Sequence, residues 1–175
     1  MTTTTAPRMS QTLPEVHRGR LMRIARDVAF PQGARLFEEG SHADRFWIVR
    51  SGSVQLDPRV PGRGAPVVES LGCGELVGWS WLFPSHVWQW GAQAETPVRA
   101  DEFDAFTVRL MCASDPGLGC FVAQWVGQAL AHRLTLSRGR LLDLYAPYGS
   151  GVAPYGEPYG EPHGQGRSAS RTTVP

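Results

Sequence analysis

The residues best placed to do chemistry are the glycines Gly72, Gly74 and Gly78 and the run that follows them, Trp79-Ser80-Trp81-Leu82-Phe83. Glycine takes positive φ and lets another group approach the main chain closely. Successive backbone N–H groups in such a turn form a concavity that holds an anion. The same residues also serve as a plain tight turn between strands. Trp88, Gln89 and Trp90 follow, and with Trp79 and Trp81 they offer indole faces for stacking on a planar ring or for filling a core. The remaining reactive types are dispersed. His17, His42, His86, His132 and His163 include no HxH, whereas a metal-dependent enzyme on a β-barrel needs His and carboxylate clustered inside it. No Ser/His/Asp or Cys/His arrangement declares itself. Cys73, inside the glycine turn, is a candidate reactive thiol or an inert small residue. The pattern indicates binding rather than catalysis, with no metal site.

With 175 residues, one domain is the default. A net charge of +1 supplies no basic footprint for nucleic acid or an anionic membrane surface. The three cysteines, Cys73, Cys112 and Cys120, form no CxxC, which fits free thiols in a reducing cytoplasm. No apolar run approaches the roughly 18 residues needed to span a bilayer. The Thr-rich segment 1–12 lacks the apolar stretch of a secretory signal and is expected to be disordered. Residues 147–175 are rich in Gly, Pro, Tyr and Ser, with Tyr-Gly-Glu-Pro starting at Tyr155 and again at Tyr159. That composition cannot bury enough apolar area to fold, so the segment is a passive tail or a docking element. The folded domain is expected over 13–146.

The elements that must position the glycine turn follow from periodicity. Leu13, Val16, Leu21, Ile24, Ala25 and Val28 recur at helical intervals and predict a helix over Leu13–Val28, with Arg18, Arg20, Arg23 and Arg26 around them as a solvated face or, alternatively, a phosphate contact. Short strands are predicted at Ala34–Phe37, Arg45–Arg50 (apolar on both faces), Ser53–Asp57, Val67–Leu71, Trp88–Ala94 and Val98–Phe103. In the fifth of these, Trp88, Trp90, Ala92 and Ala94 alternate onto one face. Pro58–Pro66 is a loop. A short helix is expected over Ala105–Cys112. Asp115-Pro116 then reads as N-cap and first turn of a long helix over 116–145. Its apolar stripe comprises Leu118, Phe121, Val122, Trp125, Val126, Ala129, Leu130 and Leu134. Arg133, Arg138 and Arg140 sit late, where the helix dipole favours cations. The stripe packs on its own domain, pairs with the same helix of a second copy as a homodimer, or does both.

In this order the residues resemble a family. Phe30-Pro31-Gln32-Gly33, Leu36-Phe37-Glu38-Glu39-Gly40, Asp44, Phe46-Trp47-Ile48-Val49, Ser51-Gly52 and Val54 look like the opening strands of the cyclic nucleotide-binding domain of the catabolite activator and Fnr-type regulators. Leu71, Gly74-Glu75 and Val77-Gly78 look like the approach to its phosphate-binding cassette. Ala94 and the Asp115-Pro116 helix resemble its later strands and C-terminal helix. The resemblance implies a mainly β fold: an antiparallel jelly roll, the double-stranded β-helix of that family, with flanking helices and a long C-terminal α-helix. The implied ligand site comprises Gly74, Glu75, Val77, Gly78, Trp79, Ser80, Trp88, Gln89 and Trp90, and the implied ligand is a cyclic nucleotide, cAMP or cGMP.

The chain departs from that family where the ligand is gripped. The family cassette reads Phe-Gly-Glu-Leu, with an Arg about ten residues on; its Glu takes the ribose hydroxyl and its Arg the cyclic phosphate. Here the glycine falls at Gly78, the Glu position at Trp79, and the Arg position at Trp88, or Val87 if the register slips by one. No Lys or Arg lies between Arg63 and Arg99, so the expectation is a hollow without a cation. Each charge-assisted hydrogen bond contributes about 1.5–3 kcal/mol, so losing both grips costs about 3–5 kcal/mol, or 100- to 1000-fold or more in affinity. Backbone N–H groups at Gly78, Trp79 and Ser80 recover part of that. The residues after Tyr145 offer no recognition helix, which argues against a DNA-binding regulator acting alone. Two expectations result. One is a non-catalytic sensor whose small-molecule ligand repositions the C-terminal helix for an unidentified protein partner. The other is a degenerate domain, its pocket closed by indoles, that acts as a dimerisation or protein-interaction module.

Overall fold

The computed structural model describes residues 6–58 and 67–145; the loop at 59–66, the first five residues and the segment 146–175, including both Tyr-Gly-Glu-Pro repeats, lie outside the described residues. Two four-stranded antiparallel sheets face each other, one ordered β1-β8-β3-β6 and the other β2-β7-β4-β5. Their strands are β1 (Arg26–Phe30), β2 (Arg35–Phe37), β3 (Arg45–Ser51), β4 (Val54–Asp57), β5 (Glu69–Leu71), β6 (Leu76–Val77), β7 (Gly91–Ala94) and β8 (Val98–Asp104). The jelly roll expected from the resemblance is therefore present, and so is its long C-terminal helix.

Strand β3 is buried on both faces, and the reason is visible in its two neighbourhoods. Phe46 stacks between Trp81 (ring centroids 4.4 Å) and Phe103 (4.7 Å) and lies edge-on to Trp125. Trp47 points the opposite way, onto Phe37 at 5.6 Å and Phe30 at 6.3 Å. Glu102, buried across from Trp47 on β8, accepts the Trp47 indole N–H at 3.0 Å on Oε2 and the Arg45 guanidinium at 3.0 Å on Oε1. Each carboxylate oxygen thus has a partner, as burial of a charge demands.

The helices are α1 (Met9–Thr12), α2 (Glu15–Met22), α3 (Ala105–Ser114) and α4 (Pro116–Tyr145). Both later helices start on aspartate. Asp104 Oδ1 accepts the Thr107 N–H at 2.7 Å, and Asp115 Oδ1 accepts the Leu118 N–H at 3.1 Å. Those bonds to Thr107 hold the Asp104 carboxyl below its ordinary range; the Leu118 N–H, and then Arg20, do the same for Asp115. Along α4, Leu118, Val122, Trp125, Val126 and Ala129 are buried, with Phe121 and Leu130 partly so.

Four expectations are corrected. The helix predicted over Leu13–Val28 ends at Met22, and Arg26–Phe30 is a strand paired with β8, Val28 opposite Ala100. Ile24, Ala25 and Val28 suit both periods, and the cross-strand partners decide; Arg20, placed on a solvated face, instead binds Asp115. Met9–Thr12 form a helical turn with Met9 buried, inside the segment expected to be disordered. The strand predicted over Trp88–Ala94 begins only at Gly91. A Cβ at Gly91 would lie 2.0 Å from Arg35 Nη2 and 2.6 Å from Asp57 Oδ1, so the Arg35–Asp57 pair crosses directly over that residue. Finally, Leu134 is 72 % exposed and does not join the buried stripe; the inward position one residue earlier belongs to Arg133, which is buried.

Candidate functional site

Between β6 and a single 3-10 turn at Ser80–Leu82, the chain bends at Gly78 with φ +80°. Trp88, buried, lies against that bend. Its main chain is fixed by two bonds to the turn after β2: the Trp88 N–H donates to Ser41 O at 2.9 Å, and the Gly40 N–H donates to Trp88 O at 2.9 Å. From there the indole reaches the cassette glycine. A Cβ on Gly78 would lie 2.5 Å from Trp88 Cζ3 and 2.6 Å from Cη2, contacts that no side chain other than hydrogen permits. Phe37 stacks on the same indole with centroids 3.9 Å apart and planes 17° apart.

A small hollow remains, lined by Phe37, Leu56, Gly78, Trp79, Ser80, Trp88, Gln89, Trp90 and Arg133, with a cavity volume of ≈ 20 Å³. A water needs about 10–15 Å³ measured this way, while organic ligands occupy pockets of roughly 300–1,000 Å³. The hollow as it stands therefore suits a water molecule and is too small for an organic ligand.

Six of the nine site residues read from the sequence, Gly78, Trp79, Ser80, Trp88, Gln89 and Trp90, thus converge on the hollow. The other three, Gly74, Glu75 and Val77, line no part of it. Gly74 and Glu75 brace the preceding turn: the Gly72 N–H donates to Glu75 Oε2 at 2.6 Å, and the Gly74 N–H donates to Val49 O at 2.7 Å. Val77 is core, paired with Trp47. Trp81 likewise faces Phe46 rather than the hollow.

The expectation of a hollow without a cation is also corrected. Arg133, only 7 % exposed, comes from α4 to its wall. Its Nη2 donates to Leu76 O, and its Nε lies 3.4 Å from Glu69 Oε2. Burial pushes the Glu69 carboxyl up, against the pull of the Arg133 charge, and burial lowers Arg133; guanidinium nonetheless stays protonated in proteins. One signal for this residue was present in the sequence. Arg133 sits four residues after Ala129 and seven after Val126, on the buried face of α4, where a charge is uncommon without a partner. Its partners, on β5 and β6, are more than fifty residues away and leave no local trace.

Among the described residues, no group of three or more His, Cys, Asp or Glu side chains could hold a metal ion. None of their helices is long and apolar enough to cross a membrane.

Known proteins match this architecture. Residues 27–115 fit the family model of the cyclic nucleotide-binding domain. A CRP-like cAMP-activated global transcriptional regulator of Mycobacterium tuberculosis is 29 % identical over 117 residues, covering 67 % of this chain and 50 % of that protein. The chain thus spans about half the length of the curated relatives it matches. A cyclic nucleotide-binding domain from Methylobacillus flagellatus superposes with TM-score 0.69 at 20 % identity, covering 80 % of this chain and 78 % of the other. The catabolite activator protein of Thermus thermophilus superposes with TM-score 0.62 at 21 % identity, covering 78 % and 62 %. With the fold, the glycine bend and half of its length matched in sequence, this chain belongs to the cyclic nucleotide-binding domain family.

Proposed function

We propose that this domain is a non-catalytic regulatory module in which Trp88 occupies the place of the ligand phosphate, so that α4 is presented as an interaction surface without a cyclic nucleotide. The carrying observation is the contact between the Trp88 ring and Gly78, in a hollow of ≈ 20 Å³. The divergence of the cassette supports it, since the two positions that would grip a nucleotide are Trp79 and Trp88. The output surface is the outward side of α4. Cys120, Ala123, Gly127, Leu130, Leu134, Ser137 and Leu141 recur at alternating steps of three and four, the spacing of a coiled-coil seam. Leu134 and Leu141 on it are exposed, and nothing lies within 4 Å of a Cβ built on Gly127. A homodimer through this seam, a protein partner that reads it and a cytoplasmic setting belong to the proposal; the unpaired Cys73, Cys112 and Cys120 are consistent with that setting. Labelled cAMP and cGMP test the ligand-free part. The wild-type domain is expected to show no saturable binding, and the Trp79→Glu/Trp88→Arg variant to gain it. Saturable binding by the wild type contradicts the proposal.

A second reading rests on Arg133. If Trp88 swings aside, this guanidinium is the cation available to a ligand anion, and its place on α4 would transmit occupancy to the helix. Binding by the wild type that is lost in Arg133→Gln, while Trp79→Phe retains it, selects this reading.

A further inference from the structure

We propose that the cleft where β1, β3 and β8 meet the start of α3 is a second binding site, and that it takes a small zwitterion of the α-amino acid class. This goes beyond the module proposed above, which concerns only the hollow and α4, and it stands whether or not the hollow opens. The cleft is lined by Ile24, Arg26, Arg45, Glu102, Asp104 and Thr107 and has a volume of ≈ 490 Å³, against ≈ 20 Å³ at Gly78. Pockets for small organic molecules run to roughly 300–1,000 Å³, so this cleft, unlike the glycine bend, is of ligand size. Glu102 and Asp104 alternate with Phe103 along β8 and therefore share one face of the sheet. Arg26 stands opposite Glu102 on β1, and Arg45 stands opposite Asp104 on β3. The pairing of the strands thus sets a guanidinium on either side of the two carboxylates.

The bonds already made decide which of these groups are open to a ligand. Glu102 is buried and engaged on both oxygens, by the Trp47 indole and the Arg45 guanidinium. Asp104 is exposed; its Oδ1 accepts the Thr107 N–H at 2.7 Å and the Thr107 hydroxyl at 2.6 Å, which leaves Oδ2 for an incoming donor. Arg26 is exposed and forms no ion pair with another described residue. An open guanidinium and an open carboxylate in one cleft fit a ligand that brings the opposite pair. A carboxylate accepts the planar fork of Arg26, and an ammonium donates to Asp104 Oδ2. An anion without an ammonium meets the two carboxylates uncompensated, and a cation without a carboxylate meets the two guanidinium groups. Half-buried Ile24 supplies an apolar wall for the ligand's side chain. Asp104 also caps α3, and α3 packs on α4, where a Cβ on Gly119 would lie 3.1 Å from Cys112 O. Occupancy of the cleft therefore bears on the helix that leads to the proposed output surface.

The test titrates the full chain, isotope-labelled for amide NMR, with each of the common L-amino acids and separately with inorganic phosphate, succinate and ethylamine. At least one amino acid is expected to shift the Thr107 amide saturably and to leave the Gly78 and Ser80 amides in place. Arg26→Gln should weaken that binding about tenfold or more. Arg26 is exposed, so this variant should melt at the wild-type temperature without added amino acid. Asp104→Asn, which still caps α3, should weaken the binding likewise. The proposal is overturned if no amino acid shifts Thr107, or if Arg26→Gln binds as tightly as the wild type. It is overturned equally if phosphate, succinate or ethylamine shifts Thr107 as strongly as the best amino acid, or if Gly78 and Ser80 move instead, which places the ligand in the hollow.

Discussion

Gly78→Ala tests the geometry of the hollow by adding one methyl group. The new Cβ would lie 2.5 Å from Trp88 Cζ3, on a backbone with φ +80°. A non-glycine residue there costs about 1–2 kcal/mol from the main chain alone. Overpacking adds about 1–3 kcal/mol, because retreat of the indole would break its stack on Phe37 at 3.9 Å while its main chain stays tied to Gly40 and Ser41. The expected loss is therefore about 2–5 kcal/mol, a large share of the roughly 5–15 kcal/mol that holds a domain folded. Trp88→Ala alone should cost about 3–5 kcal/mol. In the double variant the clash is gone, so Gly78→Ala should cost only its main-chain part. Urea unfolding of the four proteins, followed by circular dichroism, then yields a coupling of about 1–3 kcal/mol. Additivity to within about 0.5 kcal/mol would refute the placement of the indole on the glycine.

Other perturbations have equally definite outcomes. Arg133→Ala strands the buried Glu69 carboxylate and should lower stability by about 3–5 kcal/mol in urea unfolding, while Arg133→Met with Glu69→Leu should restore most of it. Asp104 and Asp115 are held below their ordinary value of 3.8, so the stability they contribute is present above that pH and is lost as pH falls through their folded values. The melting temperature of the wild type should therefore drop more steeply below about pH 4 than that of Asp104→Asn/Asp115→Asn. Leu134→Lys should convert a dimer to a monomer in light scattering while changing stability by less than about 0.5 kcal/mol; an unchanged mass removes the α4 seam.

Much of the fold was legible because its signals are local. The doubly apolar run at β3, the alternation in β4 and the Asp115-Pro116 start of α4 each depend on neighbours in sequence. The glycine turn was legible in part: of Gly72, Gly74 and Gly78, the last two take positive φ. What escaped is set by partners far along the chain. Strand β1 carries apolar spacing that fits a helix equally well, and only pairing with β8 decides. Strand β6 has two residues, Leu76–Val77, too few for a period. Within the site, the aromatic residues were visible but their contacts were not: Phe37 and Trp88 are brought together by the two bonds between the turn at Gly40–Ser41 and Trp88. Arg133 looked like a helix-end cation because its position late in α4 accounts for it without any tertiary partner.

A crystal structure of the domain determined in millimolar cAMP, and again in cGMP, tests the central claim most directly. The account predicts the Trp88 ring resting on Gly78 with Phe37 stacked against it and no nucleotide between β6 and Trp88. A cyclic phosphate seated on the Gly78–Ser80 N–H groups, with the indole displaced, would contradict it.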